Sequence, residues 1–135
     1  MKNHYQKGAG FERELVTRFW EAGWSAVRVA GSGSTPHPVP DVIAVRDGRT
    51  IAVECKTTTG ERLSLKSAVA GLREFQKISG CTAYIAVKFS REKPRFYTLD
   101  SFESRGNHAV LKSTEYLDFE TVSGRQKTLQ GKVCE

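Results

Sequence analysis

The chain has 135 residues, 39% hydrophobic and 27% charged, which fits one globular domain and excludes gross disorder. Its net charge of +6 favours a polyanion such as nucleic acid or an anionic membrane face, although a merely soluble basic protein fits it equally. No apolar run approaches the length of a membrane span, and the basic residues are dispersed rather than gathered in a tail, so any nucleic-acid surface must be built by the fold.

Residues 8–22 carry apolar side chains at helical spacing, Phe11, Leu15, Val16, Phe19 and Trp20, with charged residues between them, and Gly23 supplies a stop. Residues 25–30 read as a strand. Residues 31–40 read as a loop, with two glycines, two serines, a threonine and three prolines. Residues 41–46 and 50–56 read as two strands, joined into a hairpin by Asp47-Gly48. A polar stretch over 57–62 leads to a second helix over 66–79, with Val69, Leu72, Phe75 and Ile78 on one side and Gly80 at its end. Residues 82–89 and 95–99 read as two more strands, linked by a charged turn. Residues 100–135 are weakly patterned, and the polar stretch from Ser123 is expected to be mobile. There is no internal repeat or linker, so a single domain over 1–135, with its core at about 7–122, is expected. Helix, three strands, helix and two strands suggest a mixed α/β sheet with helices on its faces.

The residues that suggest chemistry are Pro40-Asp41, then twelve residues, then Glu54-Cys55-Lys56. Side chains alternate along a strand, so Glu54 and Lys56 project the same way, about 6.6 Å apart. Ile51, Val53 and Cys55 then share the opposite, core face, which makes Cys55 a packing residue. The Asp47-Gly48 turn brings Asp41 beside Glu54. Two adjacent carboxylates repel unless a cation neutralises them or one stays protonated. A hard divalent ion with oxygen ligands suits such a pair, and can activate water and polarise a phosphoryl oxygen. Lys56 adds a positive charge for a phosphate or the attacking water. Glu12, on the first helix, is the candidate third carboxylate. A surface strand with a Glu-x-Lys pair and a turn aspartate would look the same as a bare motif, but the hairpin places these residues where the chemistry needs them.

This pattern resembles the PD-(D/E)xK nuclease superfamily. The runs Lys7-Gly8-Ala9-Gly10-Phe11-Glu12-Arg13-Glu14-Leu15, Val27-Arg28-Val29-Ala30-Gly31-Ser32-Gly33-Ser34, Pro38-Val39-Pro40-Asp41-Val42-Ile43-Ala44, Ala52-Val53-Glu54-Cys55-Lys56, Leu72-Arg73-Glu74-Phe75 and Ala83-Tyr84-Ile85-Ala86-Val87-Lys88 resemble archaeal Holliday junction resolvases over about residues 7 to 100. The resemblance implies a restriction-endonuclease-like fold, a mixed central sheet flanked by helices. It implies a homodimer that makes paired cuts in four-way junction DNA with Mg²⁺, for which Mn²⁺ would substitute. It makes Glu12, Asp41 and Glu54 the metal site, Lys56 the catalytic lysine and Ser32 a loop serine linked to catalysis, with Ser34 in the same glycine-rich turn as the alternative register. Arg13, Arg28 and Ser34 become DNA-binding candidates, and Phe75 a dimer residue. The chain departs from the pattern at Cys55, where Val or Met is common, and in the 32–40 loop, which carries His37 rather than lysines.

Other features point away from other chemistries. His4, His37 and His108 are scattered, as surface residues are. Gly31-x-Gly33 lacks the third glycine of a dinucleotide fingerprint, and there is no Gly-Lys-Ser/Thr phosphate loop, so no nucleotide cofactor is expected. Arg28 suits a structural ion pair as well as it suits DNA. Cys55, Cys81 and Cys134 are odd in number and widely spaced, which argues against a disulfide framework or a zinc ribbon; with no apolar leader, a cytoplasmic location is expected. Two alternatives stand beside the resolvase reading: a nuclease of the same superfamily acting on linear or flapped DNA, and a non-catalytic DNA-binding module.

Overall fold

In a computed structural model, residues 4–59, 64–65, 67–106 and 108–124 are described. The first helix, α1, spans His4–Glu21 and starts earlier than the apolar pattern alone predicts. It buries Phe11, Leu15 and Phe19, the residues at helical spacing. It ends where Gly23 takes φ +91, a left-handed conformation that a side chain would strain. Strand β1, Ser25–Arg28, is shorter than expected. A single 3₁₀ turn at Ser32–Ser34 opens the glycine- and proline-rich loop.

Strands β2, Val42–Arg46, and β3, Arg49–Thr58, form the predicted hairpin. Arg46 pairs with Arg49, and both turn residues have positive φ, +48 at Asp47 and +78 at Gly48. This is the two-residue turn whose twist matches that of paired strands. After a short strand β4, Ser64–Leu65, helix α2 spans Ala68–Ser79 and crosses to β5, Thr82–Phe89. β5 runs parallel to β3, with Ile51 opposite Thr82 and Thr58 opposite Phe89, and this pairing carries β3 beyond its predicted end. Strand β6, Arg95–Thr98, returns antiparallel to β5. The main sheet has the order β1-β2-β3-β5-β6. It is mixed and flanked by helices, as expected.

Each face of the sheet carries a core. On one, Ile51, Val53 and Phe96 pack against Phe11, Leu15 and Phe19 of α1, and Cys55 lies partly buried against them, as predicted. On the other, Ala52, Ile85, Val87 and Tyr97 pack against Val69 and Leu72 of α2. Phe75 is partly buried against this second core, but Ile78, expected on the same side, is 80% exposed. Cys55 and Cys81 are free thiols, and Cys134 lies outside the described residues. Among the described residues no helix is long and apolar enough to cross a membrane.

The weakly patterned third is more ordered than predicted. Strands β7, Phe102–Arg105, and β8, His108–Leu111, join β4 in a small second sheet of order β4-β8-β7. Helix α3, Phe119–Ser123, is capped by the Asp118 side chain, which accepts a hydrogen bond from the Thr121 amide at 2.8 Å. That bond holds the Asp118 carboxyl below its ordinary range. α3 seats Phe119 against Phe19, ring centroids 5.0 Å apart, and against Phe96 at 6.1 Å. Ser123, expected to open a mobile stretch, is instead fully buried, and its carbonyl accepts from the Trp24 indole at 3.0 Å. Residues 125–135 lie outside the described residues.

Candidate active site

Asp41 sits one residue before β2. Its amide donates to the Val53 carbonyl at 3.1 Å, and its own carbonyl accepts from the Val29 amide at 2.8 Å. These bonds fix its backbone between β1 and β3. The side chain is equally constrained. Oδ2 accepts from the Cys55 amide at 2.8 Å, and Oδ1 accepts from the Ser32 hydroxyl. A carboxylate held by two donors is oriented before any ligand arrives.

Glu54 follows Val53 on β3, whose register pairs Val42 with Val53 and so brings Glu54 alongside Asp41. Its Oε1 is buried without a hydrogen-bond partner. Burial, then hydrogen bonding and charge contact with Asp41, then the charge of Glu12, push its carboxyl from 4.5 up to about 9. Without a cation, Glu54 is therefore protonated at neutral pH. The same carboxylates lie near Cys55, whose thiol is pushed up chiefly by burial and then by Asp41, Glu12 and Glu54. That thiol is protonated and inert, in keeping with packing.

Glu12 reaches the site from α1. The Arg28 guanidinium donates to its Oε1 at 3.5 Å, and both side chains are largely buried. Burial and then Asp41 raise the Glu12 carboxyl, and Arg28 opposes them. So Arg28, equally open in the sequence to ion pairing or DNA contact, is engaged in an ion pair with a site residue. Lys56, two residues beyond Glu54 on the same face of β3, is exposed at the edge of the site.

The loop serines separate cleanly. Ser32 meets Asp41, whereas the Ser34 hydroxyl donates to the Gly31 carbonyl at 2.8 Å and closes the turn. Arg13 and His37 are exposed. Phe75, on α2, takes no part in the acidic cluster. Among the described residues, no three His, Cys, Asp or Glu side chains converge closely enough to cage a metal ion. The paired unit is Asp41 with Glu54, with Glu12 at longer electrostatic range.

Lys88 and Glu14 were not singled out by the sequence. Lys88 on β5 donates to Glu14 Oε1 at 2.9 Å, and Arg18 lies 3.7 Å from Oε2 of the same carboxylate. This network ties α1 to β5, close in sequence to Glu12. The signal available for it was a Glu-x-x-x-Arg pair on the first helix, which is common to many solvated helices.

Several known proteins share this architecture. A family model described as archaeal Holliday junction resolvase (Hjc) matches residues 3–130. The crossover junction endodeoxyribonuclease Hjc of Archaeoglobus fulgidus is 37% identical over 124 residues, covering 88% of this chain and 90% of that protein. Its counterpart in Methanocaldococcus jannaschii is 32% identical over 134 residues, 96% of each chain. The 1.6 Å structure of Archaeoglobus fulgidus Hjc, a Holliday junction resolvase from an archaeal hyperthermophile, superposes with a TM-score of 0.76 at 34% identity, covering 85% of this chain and 97% of that one. On matches of this breadth, the chain belongs to the archaeal Holliday junction resolvase family.

Proposed function

We propose that this chain is a crossover junction endonuclease that cuts four-way DNA at the Asp41–Glu54 corner with the help of Mg²⁺ or Mn²⁺. The observation that carries the metal-dependent reading is the orphaned, buried Oε1 of Glu54 beside a pre-oriented Asp41. A buried carboxyl oxygen without a partner is costly, and a cation would supply that partner and let Glu54 ionise beside Asp41.

The donor set suits a hard ion. Mg²⁺ keeps several waters and uses one or two carboxylates plus substrate phosphate, so it does not need a cage of three protein ligands. Asp41 and Glu54 would hold it, with Glu12 adding negative potential from α1. Such an ion would supply an acidified water and polarisation of a phosphoryl oxygen. The chain's own groups do the rest. Ser32 and the Cys55 amide keep Asp41 in one orientation. Arg28 restrains Glu12. Lys56, exposed at the rim, offers its ammonium to the phosphate where negative charge builds.

Two active sites on a twofold homodimer would match a junction that is itself nearly twofold, and the half-buried Phe75 and exposed Ile78 of α2 are among the apolar residues available for such a contact. Recognition would be of shape and phosphate, so affinity should fall steeply with salt. The test compares a labelled four-way junction with linear duplex of matched sequence, in Mg²⁺ and in chelator, for the wild type and Asp41→Ala. Symmetric nicking of the junction alone, lost in the variant while binding persists, is expected. Equal cleavage of linear duplex would refute junction selectivity, and tight binding without cleavage in any divalent ion would refute catalysis.

A further inference from the structure

A cleft of about 470 Å³ lies between the proline-rich loop and the first half of α2, and it opens onto the acidic corner. Ser32 and Glu54 line it, so it is continuous with the site. Its walls are the loop prolines on one side and Ala68, Ala70 and Gly71 on the other. The small residues keep it open. At Gly71 the loop comes so close that an added Cβ would lie 3.3 Å from the Pro38 side chain. The volume is within the range of about 300–1,000 Å³ typical of small-ligand clefts.

The lining chemistry distinguishes among parts of a nucleic acid. No lysine or arginine lines the cleft, and its acidic groups are the carboxyls of Glu54 and Glu74, with the His37 imidazole on the loop side, so it does not suit a backbone phosphate. Proline rings and small helix side chains interleaved with hydroxyl and carboxyl groups suit a nucleobase, which is apolar on its faces and carries amino donors at its edge. A phosphate held through a cation at Asp41 and Glu54 would put the attached nucleotide at the mouth. Extruding a base costs least where its stacking is already broken, as at a branch point.

We propose that this cleft takes one unstacked nucleobase from the cut strand, next to the scissile phosphate. The inference rests on the nuclease reading above and adds a substrate subsite to it.

The test uses the full chain and junctions carrying 2-aminopurine or an abasic residue on either side of the mapped cut. With chelator present, wild-type binding should brighten 2-aminopurine at one of these positions, since no Phe, Tyr or Trp lines the cleft and its one ring is the exposed His37 imidazole. Ala70→Phe, at an exposed helix position, should abolish that brightening while thermal unfolding is unchanged. In Mg²⁺ it should slow cutting of the normal junction by about tenfold, the scale of one base contact, and cutting of the matching abasic junction by less than about twofold. No brightening at either position, or equal slowing of both substrates, would overturn the subsite. If the wild type cuts no junction, the probes go at the branch point, and brightening there would keep a base-binding cleft but overturn the nuclease reading and the placement beside a scissile phosphate.

Discussion

Replacing Glu54 with glutamine should stabilise the metal-free protein, increasingly so as pH rises. The folded carboxyl stays protonated up to about 9, against an ordinary value of 4.5. Its stabilising contribution is complete below the unfolded value and is lost as pH rises towards the folded one. At pH 7 the unfolded chain gains about 3 kcal/mol by ionising this group, at roughly 1.4 kcal/mol per pH unit above its ordinary value. Glu54 is only partly withdrawn from solvent, so about 2 kcal/mol is expected at pH 7, or about 5–10 °C in Tm. The side-chain amide mimics the protonated acid and can still donate to Asp41. Thermal and urea unfolding of wild type and Glu54→Gln in chelator, from pH 5 to 8.5, would give the curve. A gap near zero at pH 5 that widens with pH is expected, and saturating Mg²⁺ should close it by stabilising only the wild type. Parallel pH profiles would refute the buried, protonated Glu54 and the metal argument built on it.

Binding of Mn²⁺ at pH 7.5 should release close to one proton, because Glu54 must ionise; calorimetry in buffers of different ionisation enthalpy would count it, and a release of zero would contradict the raised Glu54. Ser32→Ala removes one of two donors to Asp41 and should slow single-turnover junction cleavage by about tenfold with binding within about twofold, whereas Ser34→Ala, whose hydroxyl serves only the turn, should cost less than about twofold. Trp24→Phe orphans the buried Ser123 carbonyl and should cost about 1–3 kcal/mol in urea unfolding, with cleavage by the folded fraction unchanged.

The hairpin that aligns Asp41 and Glu54 was legible because it depends on local rules. Asp47-Gly48 dictates the turn, and period-two alternation dictates which side chains share a face. The first helix was legible for the same reason, with three turns of apolar spacing. Three aspects of the site were not. Which of two loop serines meets Asp41 depends on how the Gly31 turn folds back, and no local pattern encodes that. The Arg28 ion pair joins residues sixteen apart across two elements, so the sequence offered both a structural and a DNA-contacting role. The unpartnered Oε1 of Glu54 is a property of packing alone. The C-terminal third defeated sequence reading because β7 and β8 are four residues each and α3 is five, too short for either periodicity to rise above noise. Ile78 matched the apolar stripe of α2 but lies beyond the part that the sheet covers.

The indole-to-carbonyl bond from Trp24 to Ser123, together with Phe119 wedged between Phe19 and Phe96, has a bearing on biosynthesis. The core between the sheet and α1 is completed only when residues 119–123 have left the ribosome, although the hairpin carrying the acidic pair has emerged long before. Completing this core therefore requires a contact between residues 99 apart in sequence, a long loop closure of the kind that slows folding. A metal ion that engaged Asp41 and Glu54 at that stage would be meeting the hairpin before its supporting core exists.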